Sequence, residues 1–136
     1  MQRTLRIRTP GRGLIEVTEQ VRGVVRQSGV EQGLCNLFLR HTSAGLVISE
    51  NADAAVRRDL DRYMARAVPD GDALFEHDAE GPDDMPAHVR SILSGVSVSV
   101  PVAKAELLLG TWQAIYVWEH RLRGHEREIV VTVAAV

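Results

Sequence analysis

The chain of 136 residues is 45% hydrophobic and 25% charged, enough apolar material to bury a core without disulfides or a structural metal. A formal net charge of −2 and a pI near 6.2 lack the basic excess that draws a protein to nucleic acid or anionic membranes, so neither is expected as a partner. One cysteine, Cys35, excludes an intramolecular disulfide; the opening residues do not read as a signal peptide and no apolar run reaches about 18 residues, which together predict a single cytoplasmic domain over residues 1–136.

In chain order, TLRIRT alternates Leu5 and Ile7 with arginines, and GLIEVT alternates Ile15 and Val17 after a Gly-Arg-Gly turn, so an opening β-hairpin is predicted. Thr18 reads as an N-cap. The segment EQVRGVVRQSG then sets Val21, Val24 and Val25 on one helical face and stops at Gly29. In GLCNLFLRHTSAGLVISEN, Cys35, Leu37 and Leu39 share one side of a strand that turns at Ser43 to Gly45 into LVIS; His41 falls on that same side at the strand end. Cys35, mid-strand among apolar residues, reads as a buried and inert thiol. Asn51 or Asp53 caps a helix in which Val56, Leu60 and Met64 recur every four residues, ending before Pro69.

From Pro69 to Met85 the chain carries seven carboxylates, two prolines and no lysine or arginine. A stretch this long with no hydrophobic period is uncommon inside a compact domain unless it is functional or disordered. Asp84 then reads as the cap of MPAHVRSILSG, with Pro86 tolerated in the first turn, His88 near the helix N-terminus and Gly95 closing it. The last forty residues are mostly β: VSVSVPV, AELLLG, TWQAIYVWEHR and REIVVTVAAV, with a hairpin turn expected at RLRGHERE, where His125 lies. Trp112, Tyr116 and Trp118 read as packing residues. His120 shares the face of Tyr116 and Trp118, and Glu119 points the other way. The expected architecture is α+β, antiparallel strands with about three helices packed on them.

Four of the five histidines, His41, His77, His88 and His120, stand beside polar or acidic neighbours. Neutral imidazole is a frequent ligand for zinc and similar metals, and Asp78, Glu80, Asp83 or Asp84 can ligate as well or orient the rings. There is no HExxH and no paired CxxC, so spacing alone leaves a metal site and a set of separate surface or core histidines both open. RHTSAG offers hydroxyls and backbone N–H groups at a strand-to-turn transition, a seat for phosphate, although neither a P-loop nor a GxGxxG is present. No GxSxG elbow supports Ser43 as a nucleophile.

The motifs HTSAGLVISENAD, DLDRYM, HDAEGPDDMPAHVRSILSG and LLLGTWQAIYVWEHR, in this order, resemble the YjbQ-like family, also described as secondary thiamine-phosphate synthases. The resemblance runs from about residue 5 to the C-terminus. It implies an α+β fold on a β-sandwich-like core, a homotrimer, and a metal-associated polar site. Carried over residue by residue, it implies metal ligation by His77, His88 and His120, with zinc expected before magnesium. His41, Glu119 and Arg121 become the implied catalytic residues, and Thr42, Ser43 and Asp84 the substrate-binding ones. The implied reaction joins hydroxymethylpyrimidine diphosphate to a thiazole phosphate and releases pyrophosphate. Two alternatives stand beside it: a metal-dependent hydrolase of a small phosphorylated or acylated metabolite, and a noncatalytic trimer that binds a metal or metabolite.

Overall fold

Alternation of apolar and polar residues produces strands whose inward rows meet in one core. The computed structural model describes residues 1–136. Its strands are β1 (Gln2–Arg8), β2 (Gly11–Glu16), β3 (Gln32–Leu39), β4 (Ala44–Glu50), β5 (Ser97–Ala103), β6 (Glu106–Leu107), β7 (Gln113–Arg123) and β8 (Glu126–Ala135). They form two antiparallel sheets, a larger one in the order β1-β8-β3-β5-β6 and a smaller one in the order β2-β7-β4. The helices are α1 (Thr18–Ser28), α2 (Ala54–Ala67) and α3 (Asp84–Ser94). This is the expected α+β architecture.

The core is one cluster of 18 buried residues. Cys35, Leu37 and Leu39 of β3, Val100 and Val102 of β5, and Ile129, Val131 and Val133 of β8 line the larger sheet's inner face. Ala44, Leu46, Ile115 and Val117 face them from the smaller sheet; Val21, Val24 and Val25 of α1, with Ile7, Val17 and Leu107, complete the cluster. Each large aliphatic side chain buried this way contributes about 1.5–3 kcal/mol relative to exposure. Helix α1 ends where the sequence indicates, with Gly29 at a φ of 70°, the left-handed conformation glycine adopts without strain.

Two expected hairpins are not formed. β1 pairs with β8 and β2 with β7, so the Thr9–Pro10 connection carries the chain from the larger sheet to the smaller one. Likewise β7 and β8 lie in different sheets, and Gly124–His125 is a corner between them rather than a hairpin turn. The two corners meet: the Thr9 N–H donates to the His125 carbonyl at 2.9 Å. A Cβ on Gly124 would lie 2.0 Å from the Thr9 carbonyl oxygen, so only glycine allows this approach.

The caps also differ in detail. Thr18 does not cap α1; Val17 occupies that position, and the Thr18 hydroxyl instead accepts the Ile115 N–H at 2.9 Å, fastening the helix to β7. Asp53 does cap α2, accepting the Ala55 N–H at 2.8 Å. In α3 the capping position belongs to Asp83, and Asp84 is the first helical residue. Tyr116 and Trp118 are buried as expected, whereas Trp112 is exposed.

Helix α3 packs across β4 and β7 on the outer side of the smaller sheet. Gly45 of β4 makes that possible, since a Cβ there would lie 2.0 Å from Ser94 Oγ and 2.9 Å from the Gly95 carbonyl oxygen. No helix is long and apolar enough to cross a membrane.

Candidate functional site

Three basic side chains from other elements hold the acidic segment between α2 and α3. Arg12 of β2 grips Asp70 with two hydrogen bonds of 2.7 and 3.0 Å, and Arg90 of α3 donates to the Val68 carbonyl at 2.7 Å. Arg121 of β7 makes three bonds: to Asp83 at 2.9 Å, to Asp84 at 2.8 Å and to the Glu80 carbonyl at 3.0 Å. A Gly71 N–H donated to the Pro82 carbonyl at 3.0 Å draws the two ends of the loop together. The cations missing from the loop sequence are therefore supplied through the fold.

This loop brings His77 beside the first turn of α3. His77 Nε2 lies 2.7 Å and His88 Nε2 3.2 Å from the same oxygen, Oδ2 of Asp84, while the other oxygen accepts the bond from Arg121. Asp84 and His88 are four residues apart on the helix and so project from one face. Burial raises the cost of ionising Asp84, but His77, His88 and Arg121 outweigh it and hold its pKa below the ordinary carboxylate value.

The backbone fixes the tautomer of His88. Its Nδ1 is 2.8 Å from the Thr42 carbonyl oxygen, which can only accept, so the ring proton sits on Nδ1. That bond orients the ring so that Nε2 points at the Asp84 carboxylate, 3.2 Å away. The ligand atoms of His77, Asp84 and His88 lie within 4.8 Å of one another. Two imidazole nitrogens and a carboxylate oxygen suit zinc or another divalent ion, and three protein ligands leave a position open, as in catalytic sites.

His120, expected as the third nitrogen ligand, stands outside that group. It is fully buried under α3, its Nε2 is 3.0 Å from Ser94 Oγ, and its Nδ1 has no hydrogen-bond partner. Burial and the nearby Arg90 depress its pKa to about 3, so the ring is neutral. Asp84, expected at the substrate, takes the third place beside His77 and His88.

On the opposite face of β7, Glu119 is fully buried and ion-paired to Arg127, which binds both carboxylate oxygens. Glu119 also accepts the Thr9 hydroxyl at 2.7 Å and the Arg121 N–H at 3.2 Å. Arg127 reaches on to the Ser43 hydroxyl at 2.9 Å and the Ser43 carbonyl at 3.2 Å. Ser43 and Glu119 thus belong to a buried network that fixes the loop between β3 and β4, and neither reaches the His77–Asp84–His88 group directly. Desolvation works against ionised Glu119, yet its bonds to Arg127 and Thr9 keep its pKa below the usual value. Arg127 lies outside the histidine-bearing motifs that carry the resemblance. Its spacing marks it: it stands two residues before Ile129 and four before Val131, on the inward row of β8.

His41 accepts the Glu128 N–H on Nε2 at 2.7 Å, which places its proton on Nδ1. Burial, with Arg127 nearby, lowers its pKa, so the neutral ring is favoured. His41, Thr42 and His88 share a cleft of about 660 Å³. A second cleft, of about 440 Å³, includes His77, Asp72 and Asp78.

The family model described as UPF0047 protein YjbQ-like matches residues 3–136. A UPF0047 protein of Synechocystis is 47% identical over 98% of this chain and 90% of its own length. The YjbQ protein of Escherichia coli O157:H7 is 42% identical, covering 97% of this chain and 96% of its own. Among solved structures, a conserved hypothetical protein of Thermus thermophilus superposes with a TM-score of 0.87 at 31% identity, over 97% of this chain and 99% of that one. A YjbQ/UPF0047 family protein of Clostridium acetobutylicum gives a TM-score of 0.85 at 31% identity, covering 98% and 99%. With the family model matching residues 3–136 and a relative 47% identical along nearly its whole length, the chain belongs to the YjbQ-like UPF0047 family.

Proposed function

We propose that this chain is a transferase acting on small phosphorylated substrates at a divalent metal, zinc before magnesium, held by His77, Asp84 and His88. In this reading the reaction joins hydroxymethylpyrimidine diphosphate to a thiazole phosphate. The thiazole nitrogen forms a bond to the pyrimidine methylene, and the carbon–oxygen bond to the diphosphate breaks, its electron pair leaving with pyrophosphate. The observation that carries the reading is the convergence of His77, Asp84 and His88, whose ligand atoms lie within 4.8 Å of one another, with the His88 ring oriented by the Thr42 carbonyl at Nδ1. The placement of one histidine of the group in each of two clefts supports a reaction with two substrates.

A bound divalent ion supplies positive charge against the departing diphosphate. The protein's own residues do the positioning. The Nδ1–H of His41 is free to donate to a phosphate oxygen, because Nε2 is occupied by the Glu128 N–H. Arg121, already paired with Asp83 and Asp84, orients the ligand carboxylate instead of meeting substrate. Glu119 and Arg127 hold the loop whose Thr42 carbonyl orients His88, so Glu119 is a positioning residue in this scheme.

The same resemblance implies a homotrimer, and the outer face of the larger sheet, where Leu34 is 42% exposed, is available to a second copy. Metal content per subunit, measured by mass spectrometry on untagged and dialysed protein, tests the site. Near-stoichiometric zinc is expected, with loss of at least half of it in His88→Ala and no change in the far-ultraviolet circular dichroism. Full retention of metal by His88→Ala overturns the ligand set. Pyrophosphate release only when both thiamine precursors are present supports the transferase. Inorganic phosphate released from a single substrate points to a hydrolase, and tight ligand binding without turnover to a binding protein.

A further inference from the structure

The larger cleft has a composition that a phosphate group alone does not require. It runs between the end of β3 and α3, and its lining includes the apolar side chains of Phe38, Ile92 and Val96. Phe38 is 47% and Ile92 82% exposed, so apolar surface faces solvent beside a polar site. The lining also includes Arg40, His41, Thr42 and His88, and no carboxylate lines the cleft. Arg40 uses one nitrogen on Glu128 at 3.3 Å, and its other nitrogens have no partner within hydrogen-bonding distance. A volume of about 660 Å³ far exceeds the needs of an inorganic anion and falls in the range of small-molecule sites, which pair apolar walls with a few convergent polar groups.

We infer that this cleft takes the apolar body of an amphipathic anion, a ring or short chain bearing a phosphate or similar head. The head meets His41, Arg40 and the His77–Asp84–His88 group, and the body lies on Phe38, Ile92 and Val96. The inference rests on that group being the functional centre and adds the side chains that select the ligand's body, Phe38, Ile92 and Val96. Specificity then comes from the body: phosphate contacts are shared by every phosphorylated metabolite, whereas the Phe38–Ile92 wall discriminates among them by the apolar area each covers.

Phenyl phosphate and inorganic phosphate serve as probes, titrated calorimetrically into the zinc-loaded protein. Phenyl phosphate is expected to bind about ten-fold more tightly, the gain from covering one face of a ring. In Ile92→Ser, a change on the exposed face of α3, and separately in Phe38→Ser, that advantage shrinks to about two-fold or less while inorganic phosphate binds as before. Equal affinity for the two probes, no binding of either, or an advantage that survives both substitutions overturns the inference. So does a change in molecular mass in Ile92→Glu, because the wall is then covered by another copy of the chain. Zinc titration of the same samples reads the metal group separately: failure to bind zinc removes the functional centre, whereas the preference for the phenyl group, measured with or without zinc, reads the cleft.

Discussion

His120 shows how burial on both sides of a strand changes the chemistry of a residue. The ring is enclosed between β7 and α3 with its Nδ1 unpartnered, and its pKa falls from 6.5 to about 3. The unfolded chain therefore takes up a proton below about pH 6.5 that the folded chain refuses. Stability is then lost as pH falls, by about 1.4 kcal/mol per pH unit, until the folded-state value is reached. The lowered pKa of His41 acts in the same direction. Asp84 and Glu119, whose pKa values are also lowered, add stability that is complete above the ordinary carboxylate range and is lost only at still lower pH. Between pH 6 and 5 the histidines dominate. Urea unfolding of His120→Gln is expected to show a pH slope shallower by about 1.4 kcal/mol per unit than that of the parent protein. An unchanged slope assigns the proton uptake to other groups.

At the scale of elements, the decisive device is the clamp of Arg121 on the segment between α2 and α3. Its guanidinium joins Asp83, Asp84 and the Glu80 carbonyl, and Asp83 also accepts the Leu122 N–H at 3.0 Å. Arg121→Leu removes the cation and leaves two largely buried carboxylates short of a partner. Zinc affinity is expected to fall by about 10- to 100-fold, the usual effect of losing a group that orients a ligand. Hydrogen exchange at residues 70–83 is expected to accelerate about ten-fold, with β3 and β8 unchanged. Exchange that stays at the parent rate in the loop assigns its order to Arg12 and Arg90.

The strands and helices of this chain were legible because alternation and caps are local. Cys35, Leu37 and Leu39 point inward as their spacing requires, and Asp53 and Gly29 bound α2 and α1. Strand pairing was not legible, because Thr9–Pro10 and Gly124–His125 look like hairpin turns and differ from them only in the distant strands each side meets. The same limit applies at the site. His77 and His88 stand out in a polar segment, whereas the place of His120 depends on α3 covering the outer face of β7 through Gly45, a contact between residues about fifty apart in sequence. Phe38 and Ile92 carry no local signal of a cleft, since an exposed apolar residue acquires meaning only from its neighbours.

The whole molecule has an asymmetry that bears on assembly. Helix α3 covers the outer side of the smaller sheet, while the outer row of β3 on the larger sheet, Leu34, Asn36 and Phe38, stays open to solvent or only half-buried. Pro101 of β5 lies beside Leu34 in the sheet register, and Ala134 of β8 flanks it on the other side, so this end of the face is apolar across three strands. The proposed trimer, packed on that end, would bury it and leave the Phe38 end free for the cleft. Light scattering is expected to give about three times the chain mass of 15.0 kDa. Leu34→Glu places a charge in the middle of the apolar patch, where three copies bring three such charges together, and the mass is expected to fall toward that of one chain. Zinc content is expected to stay at the parent level in that variant if each subunit holds its own metal, as the proposed ligation by His77, Asp84 and His88 of one chain would require. A trimer that persists in Leu34→Glu places the interface on another surface, and zinc lost together with the trimer shows that a neighbouring subunit completes the site.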